Sequence, residues 1–194
     1  MVSDEAPVSG HAEGAGAAEA VVRPREAGPA ATARVGEPDE SLARPHPGPS
    51  SVVLPAAIRD AMVAHARAEA PDEMCGLVIG DGSAADGGTA LRWEPARNEA
   101  RSPYRYRLHP DDLLRLTLAT WDDETVFWAV VHSHVRSPAV PSPTDLGAAT
   151  YPDALYILVS LSDLEADPVT GEPSVRAWRI LDGTMYEVAV HIEP

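Results

Sequence analysis

Val126-Phe127-Trp128-Ala129-Val130-Val131-His132-Ser133-His134-Val135-Arg136-Ser137-Pro138-Ala139-Val140-Pro141-Ser142-Pro143-Thr144-Asp145 is the stretch on which the reading of this chain turns. Its first six residues are apolar, with the β-branched and aromatic character and the length of a buried strand. His132 and His134 follow at the strand's end, two residues apart, so both imidazoles project from one face. Their backbones lie about 7 Å apart, close enough for both rings to reach one metal ion. After a loop broken by Pro138 and Pro141, Ser142-Pro143-Thr144-Asp145 has the form of a helix start: serine as N-cap, proline at the first helical position and an acid at the third. Two imidazoles and a carboxylate, with a fourth position left for water, make a catalytic rather than a structural zinc site. Asp145 also has a purely structural reading, as a capping acid, and Ser142 can cap the helix while pointing its hydroxyl at a reacting group. The histidines eleven and thirteen residues upstream of Asp145 tip the balance towards a ligand.

Composition bounds what such a site can belong to. The chain has 194 residues, enough for one domain with a proper core and a remainder. A single cysteine, Cys75, permits no internal disulfide and points to no oxidising compartment. No stretch is long and apolar enough to span a bilayer. The opening Met1-Val2-Ser3-Asp4-Glu5 lacks the basic residues and apolar core of a signal peptide, so the expectation is a soluble, cytoplasmic protein. The net charge is −15, with fifteen arginines and no lysine. No basic cluster rises above this acidic background, which argues against nucleic acid or an anionic membrane as partner. Without lysine, Schiff-base chemistry on a lysine side chain is excluded.

The chain divides near residue 50. Residues 1–50 hold eleven alanines, seven prolines and six glycines, with no aromatic residue and no isoleucine. Such a segment cannot bury enough apolar surface to offset its ordering entropy, and a disordered tail is expected. His11 and His46 lie in it without partners. Residues 51–194 are expected to form the folded domain.

Within that domain, Pro55 to Ala70 reads as a helix burying Ile58, Ala61, Met62, His65 and Ala66. Glu73 leads into the strand Met74 to Gly80, and Thr89 to Glu94 pairs as the next strand. Tyr104 to Leu108 alternates as a half-exposed strand does. His109-Pro110-Asp111 opens a second helix whose spacing predicts a buried stripe of Leu114, Thr117, Leu118 and Trp121. Leu155 to Leu161 is another buried strand. Val175 to Leu181 and Met185 to Ile192 flank Asp182-Gly183, a hairpin signal. The fold class expected is α+β, a mixed or mainly antiparallel sheet with flanking helices.

The order Glu73, His132-Ser133-His134, seven residues, Ser142, two residues, Asp145 resembles the signature of the JAMM (MPN+) metalloproteases. The likeness extends to Glu73-Met74-Cys75-Gly76-Leu77, to Asn98 with Ser102-Pro103, to Tyr106-Arg107-Leu108-His109-Pro110 and to Pro141-Ser142-Pro143-Thr144-Asp145, which look like the short bacterial branch of that family. So does the Ser174 to Ile180 strand with Asp182-Gly183. It covers roughly residues 52 to 192, and the N-terminal tail has no counterpart in it.

The resemblance implies a single cytidine-deaminase-like α+β domain and one zinc ion held by His132, His134 and Asp145, with water as fourth ligand. It implies Glu73 as proton carrier and Ser142 as donor to the oxyanion. Ser133 would point to the opposite face of the strand. Cys75 is either a small buried hydrophobe or a thiol near the metal. The substrate implied is a ubiquitin-like sulfur-carrier protein, from whose Gly-Gly tail a terminal cysteine is released in cysteine biosynthesis. Trimming of a carrier precursor in a thio-metabolite pathway is the alternative, and a homodimer is left open. A reading from another class is a metal-free interaction scaffold of the same fold. Such scaffolds typically lack part of the ligand set, which is complete here.

Overall fold

The structure is a computed structural model describing residues 48–194. The disordered tail expected over residues 1–50, with His11 and His46, falls on residues 1–47 outside the described residues, apart from its last three positions.

In chain order the elements are β1 (Ser51–Pro55), α1 (Ala56–Glu69), β2 (Cys75–Gly80), β3 (Ala90–Ala96), α2 (Pro110–Asp122), β4 (Val126–His134), α3 (Pro143–Ala148), β5 (Leu155–Ser160), β6 (Ser174–Leu181) and β7 (Thr184–Glu193), with a short 3-10 turn at Ala84–Asp86. The seven strands form one sheet in the order β1-β7-β6-β5-β4-β2-β3. Pairs β4–β5 and β1–β7 are parallel and the others antiparallel, so the sheet is mixed, in an α+β domain as expected.

Helices cover both faces, which is why β2 and β5 read as unbroken apolar runs rather than alternating ones: every residue of each is buried. On one face α1 packs Ile58, Met62, Val63 and Ala66 against Val78, Trp128, Leu155 and Ile157. On the other, Leu116 of α2 and Leu146 of α3 meet Leu77, Val130, Tyr156, Leu158 and Trp178. Truncating one of these fully buried side chains, Leu158→Ala for example, costs about 2–5 kcal/mol. Gly76 in β2 is required by this packing, since a Cβ there would collide with the Trp93 ring and the Glu94 carbonyl. The Asp182-Gly183 turn has positive φ at both residues (49° and 74°), matching the twist that a two-residue hairpin needs.

Several expectations are corrected. On α2, Leu114 and Trp121 are 60% and 71% exposed, while Leu116 and Thr120 are buried and Leu113 and Thr117 half-buried. Both stripes have the same helical spacing, so periodicity cannot choose between them. Packing of Leu116 and Leu113 against the sheet selects the face, and Arg97 pairs with Asp112 (2.8 Å) and Arg92 with Asp123 (2.9 Å) beside it. On α1, Val63 rather than Ala61 is buried.

Tyr104 to Leu108 is not a strand but a loop with isolated bridges Asn98–Leu108 and Ser102–Arg105. The Asn98 side chain takes hydrogen bonds that a partner strand would make: Nδ2 donates to the Arg105 carbonyl and Oδ1 accepts from Arg107 N–H. Strand β1 goes beyond the sequence reading; it adds to β7 with Val53 opposite His191. Among the described residues, no helix is long and apolar enough to cross a membrane.

Candidate metal centre

The site forms at the carboxyl end of β4, where this strand lies parallel to β5. Parallel neighbours need a crossover, and here it contains α3. The crossover therefore returns Asp145 to the strand end that carries the histidines.

In the β2–β4 pair Cys75 lies opposite His132. The same register continued places Glu73 opposite His134, and Ser133 holds that end: its N–H donates to the Met74 carbonyl (3.1 Å) and its Oγ accepts from Met74 N–H (2.9 Å). Residues opposite one another in an antiparallel pair share a face, which puts Glu73, Cys75, His132 and His134 together. Glu73 is fastened further, its N–H donating to the Ser102 carbonyl and its own carbonyl accepting from Asn98 Nδ2, both at 2.9 Å.

Ser142 caps α3 and Pro143 occupies the first helical position. Ser142 Oγ accepts from Asp145 N–H (3.3 Å), and Asp145 Oδ2 accepts from Ser142 N–H (2.7 Å). Capping does not remove Asp145 from the site. Its Oδ1 lies 3.5 Å from His132 Nε2 and its Oδ2 3.5 Å from His134 Nε2. These separations are long for charge-assisted hydrogen bonds. They match the spacing of about 3.3–3.4 Å between two ligand atoms of a tetrahedral zinc ion with bonds of about 2.0–2.1 Å.

The three side chains can each offer one ligand atom within 4.8 Å of the others. His134 Nδ1–H donates to the Pro138 carbonyl (2.6 Å), which leaves the Nε2 lone pair directed at the site. Among the described residues, both ring nitrogens of His132 are buried without a hydrogen-bond partner. A buried polar nitrogen left unmet is costly, and a cation at Nε2 would satisfy it. The donor set thus fits a metal ion.

Charge is arranged to the same end. Burial opposes ionisation of Asp145, but its polar contacts with His132, His134 and Ser142 outweigh burial and hold the carboxyl well below the usual range. Burial lowers the pKa of His132. On His134 burial also disfavours the charge, yet Asp145 and the Pro138 carbonyl prevail and raise its pKa. Glu73 is 4% exposed and its Oε2 has no hydrogen-bond partner among the described residues. Burial pushes its carboxyl up to about 7, with His134 opposing and Asp145 adding to the rise. Cys75 donates weakly to the Ala96 carbonyl (3.6 Å), and burial, with nearby acids, pushes its thiol up to about 12. It stays a neutral thiol, poorly suited to redox or metal work.

All five residues singled out in the sequence are at this strand end, and His109 caps α2 instead. The residues that hold the His134–Ser142 loop gave no sequence signal. Trp178 Nε1 donates to the Ala139 carbonyl (2.9 Å), Ala139 N–H donates to Glu165 Oε2 (2.7 Å), and Ser160 Oγ donates to the Ser137 carbonyl (2.8 Å). No local pattern marks such partners, since their contacts exist only once β5 and β6 are in place. Nothing in the sequence assigns a role to Tyr106, whose ring stacks on His132 at 4.2 Å between centroids.

Comparison with known proteins gives a family and a set of relatives. The family described as prokaryotic homologs of the JAB domain matches residues 55–181. CysO-cysteine peptidase of Mycobacterium tuberculosis is 40% identical over 142 residues, covering 73% of this chain and 90% of that protein. Desampylase of Haloferax volcanii is 34% identical over 119 residues, covering 57% of this chain and 81% of its own. The solution structure of a Desulfitobacterium hafniense protein superposes with a TM-score of 0.63 at 27% identity, covering 73% of this chain and 92% of the other. A Salinibacter ruber protein superposes with a TM-score of 0.53 at 27% identity, covering 74% and 91%. A mixed sheet flanked by helices, the His-x-His strand end with its helix-borne aspartate, and a family match over most of the described domain lead to one conclusion: this chain belongs to the prokaryotic JAB branch of the JAMM (MPN+) metallopeptidases.

Proposed function

We propose that this peptidase is zinc-dependent and hydrolyses the bond after the Gly-Gly tail of a ubiquitin-like sulfur-carrier protein, releasing a C-terminal cysteine. The observation that carries the reading is the meeting of His132, His134 and Asp145 with a buried carboxyl held near neutrality and a half-buried serine hydroxyl. Kinship with proteins named CysO-cysteine peptidase supports the choice of substrate.

His132, His134 and Asp145 would hold the ion, and zinc there supplies a water whose pKa falls from about 16 towards roughly 7. Glu73 takes up the nucleophile's proton and returns it to the leaving amine. A carboxylate beside a metal site serves in both directions, and the burial of Glu73 keeps the proton from bulk water. Ser142 Oγ already accepts from Asp145 N–H, so its own O–H is left to donate to the developing oxyanion. One such donor is typically worth about 3–4 kcal/mol. The pinned loop between His134 and Ser142 keeps that hydroxyl placed relative to the ligands. A Gly-Gly tail, lacking side chains, would lie extended in the groove beside the site and bring its carbonyl to Ser142.

Intact-protein mass spectrometry of a carrier bearing a C-terminal cysteine, incubated with zinc-loaded enzyme, tests this. Loss of one cysteine, absent with Glu73→Gln, is the expected result. An untouched adduct alongside cleavage of a longer carrier precursor would move the assignment to trimming in a thio-metabolite pathway. Failure to bind zinc at all would favour the interaction scaffold.

A further inference from the structure

The two histidines of the metal centre are held in different ways. His134 has its Nδ1–H on the Pro138 carbonyl, the outer hydrogen bond that normally fixes a ligating imidazole's tautomer and direction. His132 has none among the described residues: both its nitrogens are buried and lack hydrogen-bond partners there. What lies against its ring is Tyr106, with centroids 4.2 Å apart and planes only 18° from parallel.

Tyr106 does not swing freely on its loop. Asn98 Nδ2 donates to the carbonyl of Arg105 and Asn98 Oδ1 accepts from the N–H of Arg107, gripping the backbone on either side of the tyrosine. The same Nδ2 donates to the carbonyl of Glu73. One buried amide thus sets the height of the Tyr106 ring over His132 and anchors the segment carrying Glu73.

We propose that Tyr106 is a positioning residue for the metal centre, its ring face fixing the plane of His132 in place of the missing outer hydrogen bond, with Asn98 holding the tyrosine in register. The inference rests on the metalloenzyme reading above. It assigns the work to the flat ring and none to the phenol hydroxyl. A flat neighbour restricts rotation of the imidazole about its Cβ–Cγ bond, so Nε2 is already aimed when an ion arrives. Without it, the entropy of ordering the ring falls on the binding step.

Zinc affinity, measured by competition with a chromophoric chelator, is the test, together with ¹⁵N spectra of the histidine rings in the metal-free protein. Tyr106→Phe keeps the stack and should bind zinc within about 2-fold of the parent. Tyr106→Leu should bind about 10- to 100-fold more weakly, the loss typical of an outer-shell partner. In the spectra of that variant the His132 signals should broaden or average while those of His134 stay as in the parent. Turnover of Tyr106→Leu should fall at limiting zinc and largely return at saturating zinc. If Tyr106→Leu does not fold, Tyr106→Met fills the space without a flat face, and the same results are expected of it. A folded Leu or Met variant with parental zinc affinity would overturn the inference, as would a Phe variant as weak as Leu. A parent protein with no zinc affinity would overturn the metalloenzyme reading itself, a different outcome from either.

Discussion

Replacing Glu73 by glutamine separates the charge of this side chain from its shape, and its burial sets the size of the effect. Burial moves the Glu73 carboxyl from its ordinary 4.5 up to about 7. At about 1.4 kcal/mol per unit, keeping it ionised costs the metal-free fold up to about 3 kcal/mol. Between pH 4.5 and 7 the folded chain retains a proton that the unfolded chain has released, so this residue lowers stability as pH rises through that window. Below pH 4.5 the carboxyl is protonated in both states, and the variant should match the parent. Above pH 7 the metal-free variant should be the more stable by up to about 3 kcal/mol. In a domain of this size that raises Tm by roughly 6–12 °C. Zinc favours the ionised carboxylate, so loading the parent should narrow the gap. Thermal unfolding of both proteins at pH 4 and pH 8, with and without zinc, reads the stability. Carrier cleavage should fall at least about 100-fold, the lower end of what a positioned proton carrier contributes. Equal Tm values at pH 8 in metal-free protein would refute the account of the buried charge. Undiminished turnover would refute the role of Glu73.

Loss of a ligand should act on binding and chemistry together: His134→Ala is expected to lose both zinc, read by metal analysis of the purified protein, and cleavage. Ser142→Ala should retain zinc while kcat falls by about 10²–10³, with about 1 kcal/mol of stability lost through the missing cap, read by kinetics and denaturant unfolding. Trp178→Phe removes the donor to the buried Ala139 carbonyl. It should cost about 1–3 kcal/mol in unfolding experiments and lower turnover by loosening the loop that places Ser142.

The parts of the site that were legible in the sequence are those with short-range geometry. Residues two apart on any strand share a face, so His132 and His134 could be paired before the strand's neighbours were known. Ser142-Pro143-Thr144-Asp145 announces a helix start wherever it occurs, and the structure contains the complete capping box. Asp182-Gly183 turns a hairpin by its own backbone preference. The place of Glu73 was available only through family resemblance, because its meeting with the histidines depends on the register between β2 and β4.

The errors have the same origin. On α2, two stripes one residue apart satisfy helical spacing equally, and packing against the sheet puts Leu116 inward and leaves Leu114, Leu118 and Trp121 outside. Tyr104 to Leu108 has a strand's alternation, yet the Asn98 side chain takes up backbone hydrogen bonds that a partner strand would make. The loop anchors Ser160, Glu165 and Trp178, and the stack of Tyr106 on His132, left no trace in spacing or composition. The sequence by itself determined most of the element types, the pairing of His132 with His134 and the capped helix, because strand and helix geometry is the same in every protein. The tertiary structure alone decided the register that brings Glu73 to the metal centre, the face that α2 buries and the contacts that hold the loop. Those follow from total burial and from satisfying polar groups across segments far apart in the chain, a balance that no local window of sequence contains.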